Sequence, residues 1–182
     1  LEMFYAYDVV NEAWIDNGTM RPESLWLQTI GDDYLWHAFY FADKYAPDYI
    51  DLYYNDFNEQ FKTETLYNFL QTLVDENGEY LVDGIGFQAH LYTKDDLNTY
   101  FDTVERIGSL GLKANLTELD VCLGTWKKTD YPTDANLKEQ GRYYVMDLGS
   151  TNGTYLNETR IQQGVKEALS DGMLIRFADS EF

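Results

Sequence analysis

Short strand-like runs alternate with longer amphipathic segments along most of the chain, and this alternation limits the folds open to it. Four short runs are rich in Val, Ile, Leu, Phe and Tyr, as β-strands are; they are Tyr5–Val10, Ile50–Tyr54, Gly84–Gln88 and Ala114–Val121. Helical spacing of apolar residues predicts helices between them, over Leu25–Tyr45, Thr63–Asn77 and Asp95–Leu110. Strict alternation favours an α/β fold of parallel βαβ units. The strands start about 30 to 45 residues apart, close to the repeat of a (β/α)₈ barrel, of which four strands are half.

The charge of the chain narrows the partners it can have. Of its 182 residues, 32 are Asp or Glu and 13 are Lys or Arg, which gives a formal net charge of −19. Binding to phosphate backbones or anionic lipid needs a basic face, so we expect neither nucleic acid nor membrane as a partner. The aromatic fraction of 16% indicates a folded protein rather than an acidic disordered tail. The single cysteine, Cys122, excludes an internal disulfide, and we expect no metal and no other cofactor.

Each strand-like run ends in polar or ionisable side chains. The four ends are Asp8–Glu12, Tyr53–Asp56, Gly86–His90 and Thr117–Asp120. One such end is explained by capping of the next helix or turn. Four of them, with two glutamates, predict an active site, because parallel barrels carry theirs at the carboxyl ends of the strands. Two carboxylates in one pocket suffice for glycoside hydrolysis, where one protonates the leaving oxygen and the other attacks the sugar or activates water.

Three motifs in a fixed order carry a resemblance to a known family. They are DVVNEAW at Asp8–Trp14, GIGFQAHL at Gly84–Leu91 and LTELDV at Leu116–Val121. Together they resemble glycoside hydrolase family 10 over residues 1–144. The resemblance implies a partial (β/α)₈ TIM barrel, with the strands here corresponding to the fourth to the seventh. It also implies a retaining endo-1,4-β-xylanase, whose substrates are xylan and xylo-oligosaccharides.

The resemblance assigns a catalytic or supporting role to four residues. Glu12 matches the family's acid/base, and Glu118 matches its nucleophile. His90 matches the residue that hydrogen bonds the nucleophile, and Asp120 matches the residue that bonds this histidine in turn. From the residues alone one alternative stays open for Glu12, because a glutamate near a helix N-terminus is also favoured by the helix dipole.

The resemblance also makes polar residues of the strand-end motifs candidates for binding sugar, and a tryptophan that follows a strand end joins them. These candidates are Asn11, Asn55, Gln88 and Trp126. Aromatic rings offer flat faces to sugars, and both Trp14 and Trp126 follow a strand end, so either ring can line the cleft or pack inside the protein. Trp26 and Trp36 lie within a predicted helix, and we expect them to pack this helix against the barrel.

The chain changes character near residue 143, where Gly, Ser, Thr and Asn become frequent. Its β-prone runs here are Tyr143–Leu148, Thr154–Leu156 and Met173–Ala178. Asn152-Gly153 between the first two is a strong hairpin signal, so the pattern predicts antiparallel β-structure. Val145–Asn157 resembles the later half of a forkhead-associated domain, a β-sandwich that binds phosphothreonine peptides. The resemblance implies peptide binding by Thr151 and Asn152, for which a plain hairpin turn is the alternative.

The two resemblances divide the chain into two incomplete domains. Residues 1–144 are predicted to form the partial barrel, and residues 145–182 a partial antiparallel β-sandwich. The two likenesses overlap at Tyr143–Tyr144, which leads us to expect a chimera. Three hypotheses follow: a retaining xylanase impaired by its missing strands, a phosphothreonine-peptide module, or an inactive chimeric fragment.

The partial barrel also has consequences for partners and location. Four parallel strands leave two open sheet edges. Besides xylan, we therefore expect either a complementing chain or a second copy of this chain as a partner at these edges. The hydrolase family implies a secreted protein, while Leu1–Val10 lacks the basic region of a signal peptide.

Overall fold

The computed structural model describes residues 4–93, 95–122, 144–146, 154–168 and 175–177. The chain divides into two compact units. The first comprises residues 1–91 and 95–120, and the second comprises residues 92–94 and 121–182. Within the described ranges, every helix is too short or too polar to cross a membrane.

A four-stranded parallel sheet forms the centre of the first unit. Its order is β1 (Ala6–Asn11), β2 (Asp51–Asp56), β3 (Gly84–Phe87) and β5 (Lys113–Leu116). All three strand pairs are parallel, which confirms the α/β organisation predicted from the alternation. Two short strands, β4 (His90–Tyr92) and β6 (Asp120–Cys122), pair separately.

The last predicted strand of the barrel, Ala114–Val121, is interrupted in the structure. The ladder stops at Leu116, and pairing resumes only at Asp120. The break falls on the polar residues Thr117 and Glu118, whose side chains bond to Asn55 of β2. The segment between the two strands keeps backbone bonds from Thr117 N to Phe87 O at 2.9 Å and from Asp120 N to Ala89 O at 3.4 Å. The side-chain contacts with Asn55 add to these bonds.

Four α-helices connect the described strands of the first unit, and they depart from two of the three predicted helices. They are α1 (Leu25–Ile30), α2 (Tyr34–Tyr45), α3 (Thr63–Leu70) and α4 (Leu97–Gly108), with a 3₁₀ turn at Glu59–Phe61 before α3. The predicted helix over residues 25–45 is broken at Gly31, whose φ of 112° is a conformation that glycine alone adopts readily.

The predicted helix over residues 63–77 ends early, at Leu70, because a local turn competes with it. The Asp75 carboxylate accepts hydrogen bonds from the backbone N–H groups of Asn77 and Glu79 at 2.8 Å each. Such side-chain bonds to nearby backbone offer the chain an alternative to the helix. Gly78, expected as the residue after the helix, lies within this turn with a φ of 86°.

The core lies where the central strands meet the helices. β2 and β3 are buried along nearly their whole length, as expected for inner strands of a parallel sheet. The helices supply fully buried apolar side chains against them: Leu35, Phe39, Leu66, Leu70 and Ile107. β1 and β5, at the two ends of the sheet, are mostly exposed or half-buried. Burial therefore falls from the middle of the sheet towards both of its ends.

The described strands of the second unit pair in an antiparallel way. β7 (Tyr144–Met146) pairs with β10 (Lys166–Ala168), and β8 (Thr154–Leu156) lies between β9 (Thr159–Arg160) and β11 (Ile175–Phe177). The hairpin predicted across Asn152-Gly153 lies outside the described residues. β8 turns into β9 through Asn157 and Glu158, whose φ angles of 48° and 63° suit a tight two-residue hairpin loop.

Candidate active site

A network of amide side chains joins the carboxyl ends of the first three strands. The parallel register sets Asn11 of β1 opposite Asn55 of β2. The Oδ1 atom of Asn11 accepts hydrogen bonds from Asn55 Nδ2 at 3.0 Å and from Gln88 Nε2 at 3.2 Å. Three residues predicted to bind sugar therefore form one connected cluster.

Glu12 and Glu118 attach to opposite ends of this amide network. Gln88 Nε2 lies 3.1 Å from Glu12 Oε1, and Asn55 Nδ2 lies 3.2 Å from Glu118 Oε1. The two glutamates are 106 positions apart in sequence, yet each hydrogen bonds to an amide that also bonds Asn11. The structure thus brings together the carboxylate pair that the sequence singled out.

Glu12 is held by its backbone as well as by its side chain. Its φ of 54° is uncommon outside glycine, and its N–H donates to Asn55 O at 2.9 Å. Arg21 donates from Nε to Glu12 O at 2.9 Å and forms an ion pair with Glu12 Oε2 at 3.2 Å. The next helix starts only at Leu25, so the alternative of a helix-dipole role for Glu12 is wrong.

Glu118 shares its surroundings with a histidine and a second carboxylate. His90 Nε2 lies 3.3 Å from Glu118 Oε2, and His90 Nδ1 lies 3.0 Å from Asp120 Oδ2. A carboxylate therefore lies beside each ring nitrogen of His90. Ala89, just before the histidine, has a φ of 58°, so a backbone of unusual conformation precedes this part of the site as well.

Three partners of the site residues were not predicted from the sequence: Arg21, Asp8 and Thr117. Thr117 Oγ1 donates to Asn55 Oδ1 at 2.8 Å, which orients the Asn55 amide so that its Nδ2 faces Glu118. Burial, and then the negative charge of Glu118, raise the pKa of Asp8. Asp8 and Thr117 belong to the strand-end motifs, so their position was a usable signal. Arg21 lies in a loop, and nothing in the sequence marked it.

The tryptophans separate into packing and exposed positions. The Trp14 ring lies 5.6 Å from the ring of Phe69, so it packs against α3. Trp36 stacks on Tyr40 and donates from Nε1 to the carbonyl of Val74 at 2.9 Å. The expectation that Trp26 packs as well is wrong, because this residue is 66% exposed.

A groove of about 970 Å³ runs beside Glu12. Arg21, Trp26 and Phe41 line it together with Glu12, so charged and aromatic groups face the same space. Trp126, Thr151 and Asn152 lie outside the described residues. In the part of the chain that the structure describes, no three His, Cys, Asp or Glu side chains are grouped to hold a metal ion.

A carboxylate pair set into an amide network at the carboxyl ends of parallel strands is the arrangement of a β/α-barrel glycoside hydrolase. The chain belongs to glycosyl hydrolase family 10, since the sequence model of that family matches residues 2–161. Its fold is accordingly a partial TIM-barrel-like α/β fold. The match extends past residue 144, where the sequence analysis ended the barrel domain.

Similar sequences carry the name of one activity. Endo-1,4-beta-xylanase A of Caldicellulosiruptor saccharolyticus is 38% identical over 152 residues, which are 79% of this chain and 44% of that protein. Endo-1,4-beta-xylanase of Geobacillus stearothermophilus is 35% identical over 148 residues, which are 77% of this chain and 44% of that protein. The chain thus spans less than half the length of these relatives.

Solved structures agree with the sequence comparison. TsXylA, an intracellular xylanase from Thermoanaerobacterium saccharolyticum, matches with a TM-score of 0.65 and 33% identity, over 76% of this chain and 41% of that one. Xylanase XynB from Paenibacillus barcinonensis, complexed with a conduramine derivative, matches with a TM-score of 0.68 and 34% identity, over 77% of this chain and 44% of that one.

Proposed function

We propose that this site belongs to a retaining endo-1,4-β-xylanase, with Glu118 as the nucleophile and Glu12 as the acid/base. The observation that carries the proposal is the amide network, because Gln88 and Asn55 bond to the two glutamates and both bond to Asn11. A retaining mechanism needs two carboxyl groups close enough to act on opposite sides of one sugar carbon.

In the first step, Glu118 attacks the anomeric carbon and Glu12 gives its proton to the leaving oxygen. The Asn55 amide and the His90 imidazole border the Glu118 carboxylate. In the second step, Glu12 takes a proton from water, which then hydrolyses the glycosyl–Glu118 ester. Asp120 lies on the other side of the His90 ring, with its Oδ2 atom 3.0 Å from Nδ1.

The substrate class follows from the relatives and from the chemistry of the site. Relatives in two genera are named endo-1,4-beta-xylanases, and mutants of TsXylA have been solved with xylotriose and with xylotetraose. Asn11, Asn55 and Gln88 offer amide groups suited to neutral sugar hydroxyls. We assign them, with Trp126, to sugar binding.

Proton NMR of the products tests both the reaction and its stereochemistry. The 182-residue chain is incubated with xylohexaose, and the anomeric signals are followed from the first minutes. We expect the β-anomer of shorter xylo-oligosaccharides to appear first, and Glu118→Ala to abolish the signal. Initial release of the α-anomer would contradict the proposal, and so would undiminished turnover by the folded Glu118→Ala variant.

The open sheet ends support the partner proposal. β1 and β5 close the described four-stranded sheet on its two sides, and Tyr7 on β1 is 62% exposed. We infer association with a complementing chain or with a second copy through these strands. Light scattering tests this inference. Self-association should give a mass above that of one chain, and pairing with a complementing barrel fragment should raise the mass once that fragment is added. A mass of one chain under both conditions would contradict the inference.

We also propose an extracellular location, where xylan occurs.

A separate proposal concerns residues 145–182. The likeness to a forkhead-associated domain suggests a remnant of a phosphothreonine-peptide module in a chimeric chain. Support comes from the antiparallel pairing of β8 with β9 and β11. Titration with a phosphothreonine peptide and its unphosphorylated form tests the proposal. Tighter binding of the phosphorylated peptide, weakened by Thr151→Ala or Asn152→Ala, would support the proposal. Equal binding of the two peptides, or binding of neither, would contradict it.

A further inference from the structure

A lysine is buried directly behind the site, on the segment that follows β2. Lys62 is 3% exposed and its side chain is fully buried. Its ammonium forms an ion pair with Asp56 at 2.8 Å and donates to the carbonyl of Trp14 at 2.7 Å. Lys62 Nζ also lies 4.2 Å from the centre of the Phe57 ring. Lysine is seldom buried without a partner, and here the partners lead towards Glu12.

A second contact reaches the same place from the other oxygen of Asp56. The Tyr54 hydroxyl donates to Asp56 Oδ2, and it accepts from the N–H of Ala13 at 3.0 Å. Ala13 and Trp14 are the two residues that follow Glu12. The Asp56–Lys62 pair therefore holds the chain on the far side of Glu12 through two different backbone atoms.

These contacts matter because Glu12 has an unusual backbone conformation. A non-glycine residue with a φ of 54° keeps it only when its surroundings specify it. The N–H of Glu12 is tied to Asn55 O, and Lys62 and Tyr54 tie the residues that follow. A buried ion pair contributes little net stability, since desolvation offsets the attraction, so stability alone does not account for this one.

We propose that Lys62 is a positioning residue for Glu12: paired with Asp56, it fixes the Trp14 carbonyl and thereby the backbone that presents the acid/base. The inference rests on the proposed function, since it concerns the proton that Glu12 delivers to the leaving group.

The dependence of the rate on the leaving group tests this role. A xylobioside of dinitrophenol departs without protonation, whereas a xylobioside of phenol needs the acid. In Lys62→Met, we expect kcat/KM for the phenyl substrate to fall by about 100-fold, the cost of misplacing a catalytic group by roughly 1 Å. The rate for the dinitrophenyl substrate should fall less than about 3-fold, because Glu118 and its partners are unchanged.

Two further variants separate positioning from folding. Lys62→Met with Asp56→Asn leaves no unpaired buried carboxylate, and we expect the same selective loss in this double variant. Lys113→Met is the matched control, because Lys113 also pairs with an aspartate, Asp51, but at the starts of β5 and β2. It should leave the ratio of the two rates unchanged.

Hydrogen exchange measures the same role without any activity. The amide of Ala13 should exchange at least about 10-fold faster in the folded double variant than in the unaltered chain, while Lys113→Met leaves it unchanged. If the unaltered chain cleaves neither substrate, the proposed function fails and this exchange result alone decides the role of Lys62. Equal loss on both substrates would overturn the inference, and so would unchanged exchange at Ala13.

Discussion

Replacing Gly86 with alanine tests how the sheet presents Asn55 to the nucleophile. The two residues are paired in the register of β2 and β3. A Cβ atom on Gly86 would overlap Oδ1 of Asn55, and it would lie 3.1 Å from Asn55 Cγ and 2.9 Å from Thr117 Cγ2. Asn55 cannot stay where it is, and its displacement breaks its bonds to Asn11, Glu118 and Thr117.

The size of the effect follows from these contacts. Overpacking of a tight interior costs about 1–3 kcal/mol, and a lost hydrogen bond to a charged group adds about 1.5–3 kcal/mol. We therefore expect Gly86→Ala to lower the free energy of unfolding by about 3 kcal/mol. In the folded fraction, kcat/KM on a phenyl xylobioside should fall by about 100-fold, because Asn55 no longer orients Glu118.

Gly84→Ala is the matched control on the same face of β3. A Cβ at Gly84 would overlap the Tyr53 ring and lie 2.8 Å from the Lys113 carbonyl, at the end of the strand away from the site. Urea unfolding should show a loss of stability in both variants. Only Gly86→Ala should lose activity in the folded state; normal activity in Gly86→Ala, or equal loss in both variants, would refute the reasoning.

Two further predictions concern buried side chains away from the reacting carboxylates. Burial raises the pKa of Glu59 from 4.5 to about 7, so the folded state holds a proton that the unfolded state has released. The free energy of unfolding should therefore fall by on the order of 3 kcal/mol between pH 4.5 and 7. Urea unfolding at both pH values should show a smaller loss in Glu59→Gln. The same loss in the variant as in the unaltered chain would contradict the prediction. Leu66 is 0% exposed, so Leu66→Ala should cost about 2–5 kcal/mol. Leu25 is 72% exposed, and Leu25→Ala should stay within about 0.5 kcal/mol; similar losses in both would contradict the described core.

The parallel sheet was predictable because its strands have a strong local signal. Tyr5–Val10 and Ile50–Tyr54 were expected, and Ala6–Asn11 and Asp51–Asp56 were found. Both strands extend one or two residues further at the carboxyl end than expected. The extensions include Asn11 and Asn55, which continue the ladder although they are polar, because their side chains bond to each other.

The helix ends were less predictable because single residues decide them. Apolar spacing runs smoothly through Gly31, and only the φ of 112° at that residue explains why α1 and α2 are separate. Likewise Leu73 and Val74 continue the apolar face of α3 in the sequence. The Asp75 turn nevertheless ends the helix before them, through bonds that periodicity does not report.

The site was predictable where one rule about parallel strands applies. Glu12 and Glu118 follow two strands of one sheet, so their convergence at its carboxyl end was expected. The contacts of Arg21 and Lys62 were not expected. Arg21 reaches the Glu12 carbonyl from a loop, and Lys62 reaches the Trp14 carbonyl from the turn before α3. Lysine side chains are mostly exposed, so the residue type predicts an exposed Lys62. Only the structure shows that the segment after β2 packs against Trp14 and buries this side chain.

Trapping of the glycosyl–enzyme ester tests the central claim most directly, that Glu118 is the nucleophile of a retaining site. A dinitrophenyl xylobioside with fluorine at the sugar 2-position forms the ester but slows its hydrolysis, so the adduct can be located by peptide mass spectrometry. We predict one adduct, on the peptide that contains Glu118, and none in the Glu118→Ala variant. An adduct on another carboxylate, such as Asp8 or Glu12, or a folded chain that forms no adduct, would contradict the account.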